Sequence, residues 1–148
     1  MTIRWRGRHV FDRLQADFLE GLPQCIVGNQ YFVSANDGSD TNAGTSPDKP
    51  FATIDKAREV SNATVTWDKD AYKYNIIWVE PAVYDEYFEG GFYYAFVVGL
   101  GIRGTDTMAE IHPSADGGVF RSDATLLGTG LINLRFECDI QDKPIFDL

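Results

Sequence analysis

The sequence predicts a mainly β protein in which short strands stack as the coils of a parallel β-helix, with a short amphipathic arm before them and a small capping helix. Three observations lead there. Residues 75–79, NIIWV, form a continuous apolar run too short for a buried helix and β-branched enough for a strand covered on both faces. YYAFVVGLGIRG, AEIHP, GGVF and GLINLRFEC then repeat the pattern, each brief and bounded by turn residues. Ile76 to Phe96 and Ile111 to Ile132 are steps of 20 and 21 residues. Those steps suit a solenoid coil better than a sandwich, whose strands recur every roughly 8 to 12 residues.

The elements follow in order. In residues 10–22, Val10, Phe11, Leu14, Phe18, Leu19 and Leu22 fall on one helical stripe, and Gly21 and Pro23 end it. Arg13 and Asp17 sit four apart on the polar side, in the weaker orientation for such a pair. This helix and its basic, Trp5-containing leader make an arm over residues 1–29, either folded back over its own domain or docked on another subunit. Tyr31, Phe32 and Val33 are β-formers, and NDGSDTNAGTSPDKP after them reads as consecutive turns. A capping helix near residues 53–61 comes next: Thr53 is a good N-cap, Asp55 suits the first turn, and Ile54, Ala57 and Val60 or Ser61 share an inward face. Residues 30–148 form the β-helix domain.

At 148 residues and 44% hydrophobic, the chain can bury a core without disulfides or metals. The net charge of −9 is asymmetric: residues 1–13 carry +3, through Arg4, Arg6, Arg8 and Arg13 against Asp12, which leaves −12 on the rest. A basic tip on an acidic body suggests two surfaces with different partners. The body repels nucleic acid and anionic membranes, which are held chiefly by Lys and Arg. No apolar run approaches the roughly 20 residues of a membrane span, and no apolar stretch follows the basic start as in a signal peptide, so a soluble chain without Sec export is expected. Cys25 and Cys138 lie far apart without a C-x-x-C or a histidine cluster, and read as ordinary buried thiols.

Residues 31–57, YFVSANDGSDTNAGTSPDKPFATIDKA, resemble the N-terminal signature of right-handed parallel β-helix proteins of the pectin-lyase-like superfamily. The shared pattern is an aromatic-Val strand, Gly-Ser-Asp, Asn-x-Gly-Thr, then Pro-Phe-x-Thr-Ile and an alanine-containing helix. NIIWVEPAVYDE is similar to the coil that follows, with Ala82 where that family commonly has glycine, and VVGLGIRG and GLINLRFE resemble further coil strands. The superfamily includes pectate and pectin lyases, other polysaccharide-cleaving enzymes and trimeric phage tailspikes. A basic amphipathic arm ahead of the first coil resembles the virion-attachment segments of the phage members.

Candidate chemistry is sparse. Asp37, Asp40 and Asp48 could gather around calcium, but they lack the EF-hand spacing, and structural Asx turns are the favoured reading. Asp85, Glu86 and Glu89 could supply the carboxylate pair of a glycosidase. His112 precedes Pro113 and reads as a turn residue more than a general base, while His9 lies in the arm. GLGIRG has no helix after it and is not a dinucleotide loop. The resemblance implies a basic residue beside calcium-binding acids in the lyases, yet Arg103, Arg121 and Arg135 stand near no recognisable ligand cluster in the sequence. The aromatic run Trp78, Tyr84, Tyr87, Phe88, Phe92, Tyr93 and Tyr94 suits sugar stacking, an interface or plain core packing. No catalytic residue, metal site or cofactor is therefore expected.

The last segment, CDIQDKPIFDL, ends on apolar Ile145, Phe146 and Leu148 without a capping helix, so either the natural chain continues or another subunit covers that end. The expectation is a structural component of a bacteriophage particle: a tailspike, fibre or head-decoration subunit, homotrimeric and located in the virion. Arg4, Trp5, Arg6, Arg8, Phe11, Leu14 and Phe18 would attach the arm to other virion proteins, and host surface polysaccharide is a further partner. The rivals are a polysaccharide lyase or glycoside hydrolase fragment and a non-catalytic carbohydrate-binding module.

Overall fold

A computed structural model of the chain describes residues 26–65, 73–102, 107–114, 118–121 and 125–137. Among the described residues the structure is mainly β, with one short helix and parallel pairing between its strands. Its elements are β1 (Ile26–Val33), α1 (Ile54–Ala63), β2 (Lys73–Val79), β3 (Val83–Tyr84), β4 (Phe92–Tyr93), β5 (Ala95–Gly99), β6 (Ala109–Ile111), β7 (Leu126–Leu127), β8 (Gly130–Ile132) and β9 (Leu134–Phe136). They form three sheets, ordered β1-β2-β5-β8, β3-β6-β9 and β4-β7. Residues 1–25 of the arm, Arg103 and the last segment, 138–148, lie outside the described residues, while residues 26–29 belong to β1.

Parallel neighbours cannot be joined by a tight hairpin, so the chain must travel before it returns. It does so by visiting the other sheets. From β2 it passes through β3, a bridge at Phe88 and β4, then returns as β5 beside β2; β5 leads through β6, the matching bridge at Phe120 and β7 to β8. The expected step of 20 residues is real, because Ile76 pairs with Phe96. The second expected step is not a pairing. Ile111 pairs with Phe136, and Ile132 pairs with Val98, so the two residues belong to different sheets.

In-register stacking puts like on like. Tyr31, Ile77, Val97 and Leu131 form one column, and Val33, Val79 and Gly99 the next; Tyr31, Val33, Ile77, Val79 and Val97 are all buried. Strand β2 alternates buried and partly covered positions from Asn75 onward. Opposite this sheet, Tyr84, Ile111 and Phe136 stack across β3, β6 and β9. Phe88, Phe92 and Phe120 fill the remaining side, with ring centroids 5.1 Å apart for Phe88–Phe92 and 5.4 Å for Phe88–Phe120. Burying the apolar part of such a ring stabilises by about 2 to 3 kcal/mol. Tyr84, Phe88 and Phe92 of the aromatic run thus serve the core.

The turn-rich loop and α1 close one end. Phe51 is buried and pairs with Val33, while its N–H donates to the Phe32 carbonyl at 2.9 Å and its carbonyl accepts from Ser34 N–H at 2.9 Å. Gly44 N–H donates to Lys49 O, and the Gly44 carbonyl accepts from Phe32 N–H at 2.8 Å. Gly44 has φ +67°, and a Cβ there would enter the Phe51 ring. The helix has Thr53 as its N-cap, as expected, with Lys56 N–H donating to the Thr53 hydroxyl at 3.1 Å. Ile54, Ala57 and Ser61 are its buried residues.

One buried polar side chain ties this lid to the sheet. Asn75 of β2 donates to the Ser61 carbonyl, the Ser61 hydroxyl and the Thr64 hydroxyl at 3.1, 3.0 and 3.0 Å, and its oxygen accepts from Asn29 N–H of β1 at 2.8 Å. Among the described residues, no helix is long and apolar enough to cross a membrane.

Two substitutions measure these constraints. Gly44→Ala adds left-handed backbone strain to the steric conflict with Phe51 and is expected to destabilise by about 2 to 4 kcal/mol. Asn75→Ala strands the amide and hydroxyl groups it satisfied and should remove about 2 to 3 kcal/mol. Both are read from the midpoint of urea unfolding, with an unchanged slope.

Candidate functional site

Two groups of charged side chains merit description, and the first lies at the N-terminus of α1. The opening turn of a helix leaves backbone N–H groups without intrahelical partners and carries a partial positive charge. Three acids answer it. Asp40, from the turn-rich loop, accepts from Ala52 N–H at 2.9 Å, Thr53 N–H at 3.0 Å and the Thr53 hydroxyl at 2.9 Å. Glu86, just beyond β3, accepts from Ile54 N–H at 2.9 Å with one oxygen and from Asp55 N–H at 2.8 Å with the other. Asp55 itself accepts from Arg58 Nε at 2.7 Å.

Beside these groups is an open polar cleft of about 340 Å³ lined by Asp55, Arg58, Asp85, Glu86, Tyr87 and Glu89. Arg121 stands over the Tyr87 ring at 3.3 Å from its centroid and reaches Glu89 Oε1 at 3.2 Å. Asp85 accepts from the Ser114 amide and hydroxyl, each at 2.6 Å, which hold its carboxyl below the usual range, the hydroxyl contributing most. Burial pushes Glu86 up to about 7 against the opposing pull of the two amides, and the charges of Asp55 and Asp40 raise it further. The acids expected as a glycosidase pair are therefore brought together, but Glu86 and Asp85 already serve as ligands to backbone amides. That is the chemistry of a helix cap and a loop tie. The aspartate-rich loop likewise holds turns: Asp40 caps, and the amides of Asp37 and Asp48 donate to the hydroxyls of Ser34 and Ser46.

The second group decorates the three-stranded sheet. Glu110 of β6 pairs in register with Arg135 of β9, and His112 and Glu137 each extend their strand by one position. Backbone bonds from His112 N–H to Tyr84 O and from Glu137 N–H to Ile111 O keep that extension in line. Arg135 contacts Glu110 Oε2 at 3.3 Å and Glu137 Oε2 at 2.8 Å, while His112 Nδ1 lies 3.5 Å from Glu110 Oε1. This corrects the expectation for the arginines, because Arg135 stands within a ligand-bearing cluster. Sequence reading missed it since Glu110 and Arg135 meet only through parallel pairing.

The expected attachment residues Arg4, Trp5, Arg6, Arg8, Phe11, Leu14 and Phe18, together with His9, fall outside the described residues. In the aromatic run, Tyr84, Phe88 and Phe92 are buried, Trp78 donates to Gln30 Oε1 at 3.0 Å, and Tyr87 is 38% exposed beside the cleft. Compared with protein-family models, curated proteins and solved structures, the chain matches none.

The Glu86 environment has a measurable consequence. A proton binds Glu86 more readily in the folded chain, at about 7, than at the ordinary value of 4.5, so its contribution to stability is full below pH 4.5 and is lost as pH rises towards 7. Stability should be about 2 to 3 kcal/mol higher at pH 5 than at pH 8 from this group. Urea unfolding at the two pH values tests it; in Glu86→Gln the difference should shrink by that amount.

Proposed function

We propose that residues 30–148 form the opening coils of a right-handed parallel β-helix, and that the chain is a structural component of a bacteriophage particle, as a tailspike, fibre or head-decoration subunit. The observation that carries this reading is the repeated in-register passage through the same three sheets. A stack of that kind lengthens by adding coils and exposes unpaired backbone only at its ends, which suits a projecting rod. The lid of α1 and its loop, packed against β1 and β2, is consistent with the start of such a stack. In this reading the basic arm, with Arg4, Trp5, Arg6, Arg8, Phe11, Leu14 and Phe18, attaches the subunit to other virion proteins, and three copies assemble as a homotrimer.

A second reading, non-catalytic binding of surface polysaccharide, is favoured by the polar cleft beside Tyr87 and Arg121. Such clefts combine a ring for stacking with groups that bond to hydroxyls.

Light scattering is the first test, and a mass three times the 16.6 kDa chain is expected; a concentration-independent monomer would overturn the homotrimer. Replacing Arg4, Arg6 and Arg8 together with Ala should abolish particle incorporation while leaving the folded core intact. Unchanged incorporation removes the anchoring role. Saturable glycan binding that disappears in Tyr87→Ala would favour the second reading.

A further inference from the structure

The cluster formed by Glu110, His112 and Glu137 bears donor atoms of two kinds on a rigid scaffold, and it is independent of the proposed function. We propose that these three side chains bind a divalent transition-metal ion of the zinc type, with Arg135 holding the two glutamates in position. One oxygen or nitrogen from each of the three lies within 4.8 Å of the others, and this is the one such three-residue group among the described residues. The Glu110 Oε1 to His112 Nδ1 separation of 3.5 Å is already close to the roughly 3.4 Å edge of a tetrahedron built from zinc–ligand bonds near 2.1 Å. Glu137 lies at the end of a long, partly exposed side chain. Closing the remaining gap requires a torsional adjustment there and no backbone movement.

Arg135 decides which oxygens remain. Its guanidinium engages Oε2 of Glu110 and Oε2 of Glu137, and the other oxygen of Glu110 is the one beside His112. Carboxylate ligands in metal sites are commonly oriented by such outer hydrogen bonds, whose loss weakens binding by about 10- to 100-fold. Two glutamates against one arginine leave a net negative charge, which a divalent cation offsets. The scaffold adds rigidity, since Glu110 and His112 come from β6 and its continuation, and Glu137 from the continuation of β9. A bound ion would link two neighbouring passes of the chain.

The donor set selects the metal class. One imidazole with two carboxylates suits zinc and its neighbours, whereas calcium and magnesium prefer oxygen ligands throughout. A site assembled only by the fold binds the native state alone, so it raises the unfolding temperature as metal is added.

The test uses the full chain stripped of metal, with Zn²⁺ alone as probe. Calorimetry should show saturable binding, and Tm should rise by about 9 °C at a hundredfold excess over Kd. His112→Asn and Glu137→Gln should each weaken the Glu110 site at least tenfold, Arg135→Gln should weaken it about tenfold, and excess Ca²⁺ should not compete. His9, Cys25 and Cys138 also carry donor atoms, so the variants are decisive. Zinc binding that is absent, or unchanged in both His112→Asn and Glu137→Gln, overturns the site. Should His112→Asn fail to fold, Co²⁺ added to the unaltered chain gives the same answer: broadening of the His112 imidazole resonances supports the site, and broadening confined to His9 overturns it.

Discussion

Parallel pairing is the constraint on which the rest of the structure depends. Two parallel neighbours need a connection of a dozen or more residues, and here that connection is made of further strands. The chain therefore circulates, and a residue on one pass lies directly over its counterpart on the next. This is why Tyr31, Ile77 and Val97 share a column, and why Phe88 meets Phe120. Core composition follows from pairing: a column stays dry only if each pass contributes an apolar residue at the same register position.

Such a stack has the problem of its ends. At the β1 end the solution is polar as well as apolar. Phe51 and Ile54 cover the core, but the alignment of the lid depends on hydrogen bonds to Asn75, Asp40 and Glu86. Asn75 and Glu86 satisfy donors or acceptors that would otherwise be wholly or partly buried without partners, a loss of about 1 to 3 kcal/mol apiece, while the bonds to Asp40 are exposed. Gathering three acids at one helix terminus would be repulsive elsewhere; the amides and dipole of α1 offset it, and burial still leaves Glu86 easier to protonate than a free glutamate.

The two charged groups consequently have different characters. Around the cleft, Asp85 and Glu86 are committed to amides, Asp55 and Glu89 to arginines, and Arg121 also to a ring, so its polarity is largely the outer surface of a folding device. On the β3-β6-β9 sheet, Glu110, His112, Arg135 and Glu137 stand on or beside paired strands, and Glu110 contacts both Arg135 and His112 through its side chain. Side chains that the fold does not require are the more informative ones about function, because one scaffold supports many activities.

The sequence by itself determined what depends on near neighbours. Thr53 before Ile54 and Ala57 announced the helix and its cap; NIIWV announced a buried strand; and Asp, Asn, Gly and Ser between Val33 and Phe51 announced turns. It also indicated the 20-residue return from Ile76 to Phe96, which the β2–β5 pairing carries out. Only the tertiary structure decided register beyond that return. β5 and β8 are separated by the full passage through β6 and β7, so spacing alone matched Ile111 with Ile132 where pairing joins Ile111 to Phe136. Glu86 reaches α1 from 31 and 32 residues away, and Arg135 reaches Glu110 across a ladder. Such contacts leave no local signal, since each residue's own surroundings in the chain fit an ordinary surface charge; the fold creates their chemistry by bringing distant segments into register.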